Sequence, residues 1–282
     1  MDQDLEELVA RASDPRWIPA IHNYCDRRCA RCRFSDRCFA FNEEVREGAG
    51  AQDIVEVASR SLTRSLRLLH AYADSEGLDL DEGDAEDASA RDTAEADPLV
   101  VAAHHYAAEC WSLLNALESQ LGADAALDVR DAIDSLQWLS TMIGPKVYRA
   151  LAGMVDPLSP LDHPTQNDAH GSAKTARLMI ADSLAAWRVV NAFGRAAPES
   201  PTRSLAAALE QIDRDLAARI PRAMEFVRPG FDESLPGAVR PWRLTADDDC
   251  GDWRFPAVSE IIGKLKDFGR GLLPRFKRSH EL

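Results

Sequence analysis

Apolar residues return every three or four positions along most of this chain, and the two-residue alternation of half-buried strands is almost absent. A chain patterned this way buries its apolar surface by laying helical stripes against one another. Over residues 54–72 the stripe is Ile54, Ala58, Leu62, Leu66 and Leu69. A second helix follows Pro98, with Leu99, Ala103, Cys110, Leu114, Leu117 and Leu121 inward. A third runs from about Ala125 through Met142, and Gly144-Pro145 kinks or ends it before a continuation over residues 146–154. A fourth begins near Asp168 and carries Ala173, Ala176, Ile180, Leu184 and Trp187, and a fifth covers residues 204–220. No Asn-Gly hairpin signal interrupts them. The expected fold is all-α, a bundle of about five long helices, and 282 residues at 45% hydrophobic content suffice to bury its core.

Charge narrows the function. Lys and Arg total 33 against 47 Asp and Glu, a formal net charge of −14. So acidic a surface does not suit broad contact with nucleic acid, which rests on neutralising phosphates. The excess is local: residues 74–97 hold eleven acidic side chains against Arg91 alone, leaving −4 for the rest of the chain. This tract, with Leu78 and Leu80 its large apolar residues, reads as a solvated, self-repelling linker. Asp79, Asp81 and Asp84 around Gly83 do not keep calcium-loop spacing. No apolar run approaches the roughly 18 residues of a membrane span, and the acidic start offers no secretion signal. The expected location is the cytoplasm.

Four of the six cysteines fall within fourteen residues, Cys25-x3-Cys29-x2-Cys32-x5-Cys38. In an unsecreted chain close thiols serve better as metal ligands than as disulfides. Thiolates are soft donors, and four of them suit tetrahedral zinc or an iron–sulfur cluster. Zinc sites commonly approach one small ion from two separated knuckles. Here one short coil supplies every ligand, and a cubane with widely spaced iron corners fits such wrapping better. The reading therefore favours [4Fe–4S] over zinc. Arg27, Arg28, Arg31, Arg33 and Arg37 crowd the thiols. They can offset thiolate charge, contact a phosphate, or form salt bridges to the bundle. Trp17, Tyr24, Phe34, Phe39 and Phe41 flank the segment as packing groups.

The stretch from Cys29 to Cys38 resembles the C-x2-C-x5-C part of the [4Fe–4S] loop in endonuclease III-type DNA glycosylases, and the cluster segment of SPASM-type domains. The glycosylase loop has six residues before its second cysteine where this chain has three, and the glycosylase's catalytic Lys and Asp find no counterpart. Cys25, Cys29 and Cys32 also spell the radical SAM pattern, but Cys38 would fill the open iron position and there are no strands for the barrel. Residues 24–38, 144–151, 170–187 and 226–232 together resemble an uncharacterised family of helical bacterial proteins. That resemblance implies a bacterial protein with a built-in cysteine site, and no activity.

Other candidates lie on the helices. His105 and Glu109 share a face at i, i+4 beside His104, and Asp134 or Asp182 could join them inside the bundle. The paired Glu-x-x-His motifs of di-iron bundles are missing, and these residues lie off the apolar stripe, so exposure is expected. His163, His170 and Lys174 mark a polar stretch before the fourth helix, with Asp168 or Ser172 as its expected cap. Gly171-Ser-Ala-Lys174-Thr175 lacks the glycines and preceding strand of a phosphate loop, Asp168 and Ala173 standing at the glycine positions. Near the C-terminus Ile261, Ile262, Leu265, Phe268 and Leu272 interleave with Lys264, Lys266 and Arg270, a basic amphipathic segment that could touch a protein partner or an acidic membrane. Internal docking against the acidic tract or a disordered end is the favoured reading.

The expected organisation is a Cys-rich metal-binding segment over 1–45 packed on the bundle, a first helix over 50–73, the acidic linker 74–97, the remaining bundle over 98–230, and an extension over 231–282. The leading functional expectation is a metalloprotein whose Cys25, Cys29, Cys32 and Cys38 hold the cofactor, in a structural, redox-sensing or electron-transfer role. One alternative is an enzyme using His104, His105, Glu109, His163 and His170. The other is a zinc-stapled interaction module.

Overall fold

The computed structural model describes residues 3–48, 93–121, 127–155, 164–193 and 200–232, and eleven positions within 55–70. Among these residues the fold is all-α, with no strand. They divide into two units. Residues 3–18, 29–48 and the positions within 55–70 belong to one, and residues 19–28 and 93–232 to the other. The acidic tract up to residue 92, the loop carrying His163, and everything after residue 232, including Cys250 and the basic amphipathic segment, lie outside the described residues.

The second unit is the bundle. Its long helices are α3 (Pro98–Gln120), α4 (Leu127–Val155), α5 (Asp168–Phe193) and α6 (Pro201–Arg219), numbered after the two helices of the other unit. Each packs on its chain neighbour, and α6 returns to α3, closing a four-helix ring. The anticipated stripes face inward: Leu99, Ala103, Cys110 and Leu114 are buried on α3, and Ala173, Ala176, Ile180 and Trp187 on α5. Asp97, the last residue of the acidic tract, caps α3 by accepting from the Leu99 amide at 2.8 Å, with Pro98 in the first turn where no amide is needed.

Pro145 does not end α4, which runs unbroken past it. Proline removes one hydrogen bond and leaves the Thr141 carbonyl unserved. Both Thr141 and Pro145 are exposed, so water can take that carbonyl, while Ile143 and Val147 hold the inner face. Inside the ring the Trp187 indole donates to the Tyr106 hydroxyl at 3.1 Å. Tyr106 also bonds Cys110, and Cys110 bonds Ser140. Burial pushes the Cys110 thiol up to about 11, which leaves it inert.

The first unit contains α1 (Gln3–Ala12) and α2 (Phe39–Gly48), neither anticipated from the sequence. Arg11 of α1 forks onto Glu43 of α2 at 3.2 and 3.1 Å. Trp17 donates from its indole to the Arg11 carbonyl at 2.8 Å and meets Phe39 edge-on at 5.7 Å. The described positions within 55–70 are helical, as expected, but their stripe is not buried: Leu62 is 63% exposed, and Leu66 and Leu69 are each 49% exposed. The bundle core closes with residues of α3–α6 and the segment after α6. Among the described residues no helix is long and apolar enough to cross a membrane.

Candidate metal centre

The cysteine segment begins on the bundle. Residues 21–24 form a 3-10 turn, entered through Ala20 in the left-handed region at φ 56°. Ile21 and Tyr24 are buried. The Tyr24 ring lies 4.6 Å from that of Phe226, directly over Gly171 of α5. Its hydroxyl donates to Asp168 Oδ1 at 3.0 Å, and Arg149 of α4 forks onto the same carboxylate at 2.6 and 2.5 Å. Burial, followed by the Asp168 carboxylate, pushes the Tyr24 phenol up to about 12. Lys146 donates to the Asn23 carbonyl, Trp138 donates to the Asp26 carbonyl at 2.6 Å, and Arg28 reaches Asp134 and Ser135. Residues 19–28 are thus docked on α4 and α5.

Cys25 is half-buried here. Its thiol donates to the His22 carbonyl at 3.5 Å and accepts from the Arg27 amide, with Arg27 in the left-handed region at φ 60°. A non-glycine residue there costs on the order of 1 kcal/mol. Burial pushes the Cys25 thiol up, and burial with Arg27, Arg149 and Lys146 holds the His22 imidazole below its usual value.

Cys29, Cys32 and Cys38 belong to the other unit. A 3-10 turn over Cys29–Arg31 is closed by the Cys32 amide donating to the Cys29 carbonyl at 3.1 Å. The Phe34 amide donates to Cys32 Sγ at 3.4 Å. A second turn over Ser35–Arg37 leads to the buried Cys38 and into α2. The Asn42 side chain clamps that junction, donating to the carbonyls of Ser35 and Cys38 at 2.8 and 3.0 Å. Trp17 and Phe34 are buried.

None of Cys25, Cys29, Cys32, Cys38 and Cys110 is in a disulfide among the described residues. Nor do three or more His, Cys, Asp or Glu side chains gather there as a ready metal site. Two sulfurs do accept a main-chain amide from the residue two positions on, Cys25 from Arg27 and Cys32 from Phe34. Amides aimed at sulfur stabilise thiolate and tune a bound metal.

Comparison with family models, curated proteins and solved structures finds no match.

The remaining candidates do not converge. His105 and Glu109 lie 3.6 Å apart on an exposed face, with side chains 70% and 56% exposed. His104 is exposed and packs over Gly144. Asp134 is held by Arg28 and Asp182 is exposed, so neither joins the histidines. The cap of α5 is Asn167, not Asp168 or Ser172: its side-chain oxygen accepts the His170 amide at 3.1 Å and also bonds the His170 ring at 2.9 Å. Asp168 is committed to Tyr24 and Arg149, and Ser172 is buried without a hydrogen-bond partner among the described residues. Lys174 donates to the Phe226 carbonyl and pairs with Asp232 at 2.8 Å. The Gly171–Thr175 run is helix, not a phosphate loop.

Sequence reasoning missed the Tyr24–Asp168–Arg149 lock and Lys146. A signal for the latter existed: Lys146 stands in register with the buried Leu139, Ile143, Val147 and Ala150, a charged residue at an inward position.

Proposed function

We propose that Cys25, Cys29, Cys32 and Cys38 hold a metal centre, [4Fe–4S] in preference to zinc, that serves structure, electron transfer or redox sensing. The observation that supports it is the pair of main-chain amides delivered to Cys25 and Cys32, one of them through a strained Arg27. Such strain persists where it serves a site. Four thiolates and a metal assemble together, because the loaded arrangement is itself the driving force for gathering the ligands. With all four positions filled by protein no iron is left open to substrate, which favours electron transfer or structure over Lewis-acid chemistry. A cytoplasmic location, where thiols stay reduced and free to hold metal, belongs to the same reading.

Anaerobic purification followed by iron, acid-labile sulfide and zinc determination on the full chain tests the reading. Iron with matching sulfide, lost in Cys→Ser variants, is the expected result. Zinc without sulfide, lost in the same variants, moves the centre to a structural role, and absence of both metals overturns the proposal.

A further inference from the structure

Lys146 is only 7% exposed, in the second half of α4. A lysine so deeply buried ordinarily has a carboxylate beside it, since an uncompensated interior charge is costly. The hydrogen-bond partner of this one is neutral, the Asn23 carbonyl. The acid that acts on it is Asp168, whose two oxygens are already engaged by Arg149 and Tyr24. Arg149 and Arg27 add charge of the same sign. Among the described residues one group of opposite tendency remains, the sulfur of Cys25, two residues beyond Asn23. Burial and then Arg149 disfavour the charged form of this lysine, a charge that a neutral thiol does not need and a metal-bound thiolate does. Four thiolates around zinc or around an oxidised cubane make a net dianion.

We infer that Lys146 is the built-in counter-charge of the metal-bound Cys25 thiolate, a positioning residue rather than a ligand. The inference rests on the metal-centre reading and deepens it. Its consequence is a change of sign between two forms of the same chain. Without metal, the buried ammonium is a burden, and neutralising it leaves stability unchanged or raised. With metal, it stabilises the centre, and neutralising it loosens the metal.

Lys146→Gln keeps a donor for Asn23 and removes the charge, while Lys146→Arg keeps the charge. On full-length protein the metal-stripped Gln variant is expected to melt at or above the wild-type temperature. Loaded, it is expected to release metal to a chelator about tenfold faster, with Lys146→Arg returning toward the wild-type rate. A Gln variant that holds metal at the wild-type rate, while the Cys→Ser variants lose it, overturns the inference and leaves the metal centre standing. A Gln variant that fails to fold, or is destabilised equally with and without metal, also overturns it, because the lysine would then serve the bare fold. Cys→Ser variants that keep their metal, or a wild type with none, overturn the reading and this inference together.

Discussion

Gly171→Ala puts the docking of the cysteine segment under direct strain. An added methyl would lie 2.3 Å from Tyr24 Cε1 and 2.7 Å from Phe226 Cζ, so the Tyr24 ring has to retreat by roughly 1 Å to regain ordinary contact. Three effects compete. Alanine is the better helix former by about 1 kcal/mol. Overpacking costs about 1–3 kcal/mol. Moving the ring that far also breaks the Tyr24–Asp168 hydrogen bond, a charged one worth about 1.5–3 kcal/mol. The steric and hydrogen-bond losses win, by about 3 kcal/mol at the centre of the range, or roughly a hundredfold in the opening of residues 19–28. Hydrogen exchange at the Asn23 and Tyr24 amides, donors of the 3-10 turn over residues 21–24, reads that opening, and urea unfolding reads the global cost. In a Tyr24→Ala background the cost of the same alanine should fall sharply. The reasoning fails if Gly171→Ala leaves these amides protected and raises stability, as an unobstructed helical Gly→Ala change would.

Tyr24 also predicts an alkaline limit. Its folded pKa is raised to about 12 against a reference of 10.0, so its contribution is fully present below pH 10 and is lost as pH rises through about 12. That is on the order of 2–3 kcal/mol, and Tyr24→Phe should flatten the pH dependence of the melting temperature in this window. Glu43 predicts an acid limit. Burial alone would raise its carboxyl, but Arg46 and Arg11 hold it down to about 2 from 4.5, so α1–α2 docking weakens as pH falls between those values. Glu43→Gln should lose that dependence, seen as Trp17 fluorescence that no longer changes over the range. Cys110 should escape iodoacetamide at pH 8 in native, metal-stripped protein while Cys29 and Cys32 are labelled, as peptide mass mapping would show. Equal labelling of Cys110 would mean the bundle core opens readily.

Helix identity in the bundle was legible because burial repeats with the helical period. Leu99, Ala103, Cys110 and Leu114 on one side of α3 leave no other arrangement. The ends were less legible: Pro145 reads as a breaker until its exposed face is known, and Asn167 competes as a cap with Asp168, which a distant tyrosine and arginine have claimed. Residues 54–72 show the limit of periodicity. It announces an apolar stripe, but Leu62, Leu66 and Leu69 are exposed among the described residues. At the cysteines, spacing marked the donors but could not reveal that Cys25 and Cys32 each accept a main-chain amide, which depends on backbone dihedrals such as the positive φ of Arg27. For Lys146 the register marked a charge at an inward position, but its partner is a carbonyl, which no side-chain pattern names.

The same carbonyl contact has a consequence for how this chain can change. Trp138 and Lys146 grip the Cys25 strand through oxygen atoms of the main chain at Asp26 and Asn23, atoms that every amino acid carries. Substitution at positions 23 and 26 therefore leaves the two anchors intact, and the surface they present can drift in charge and shape. The thiol they carry stays put while its surroundings are rewritten.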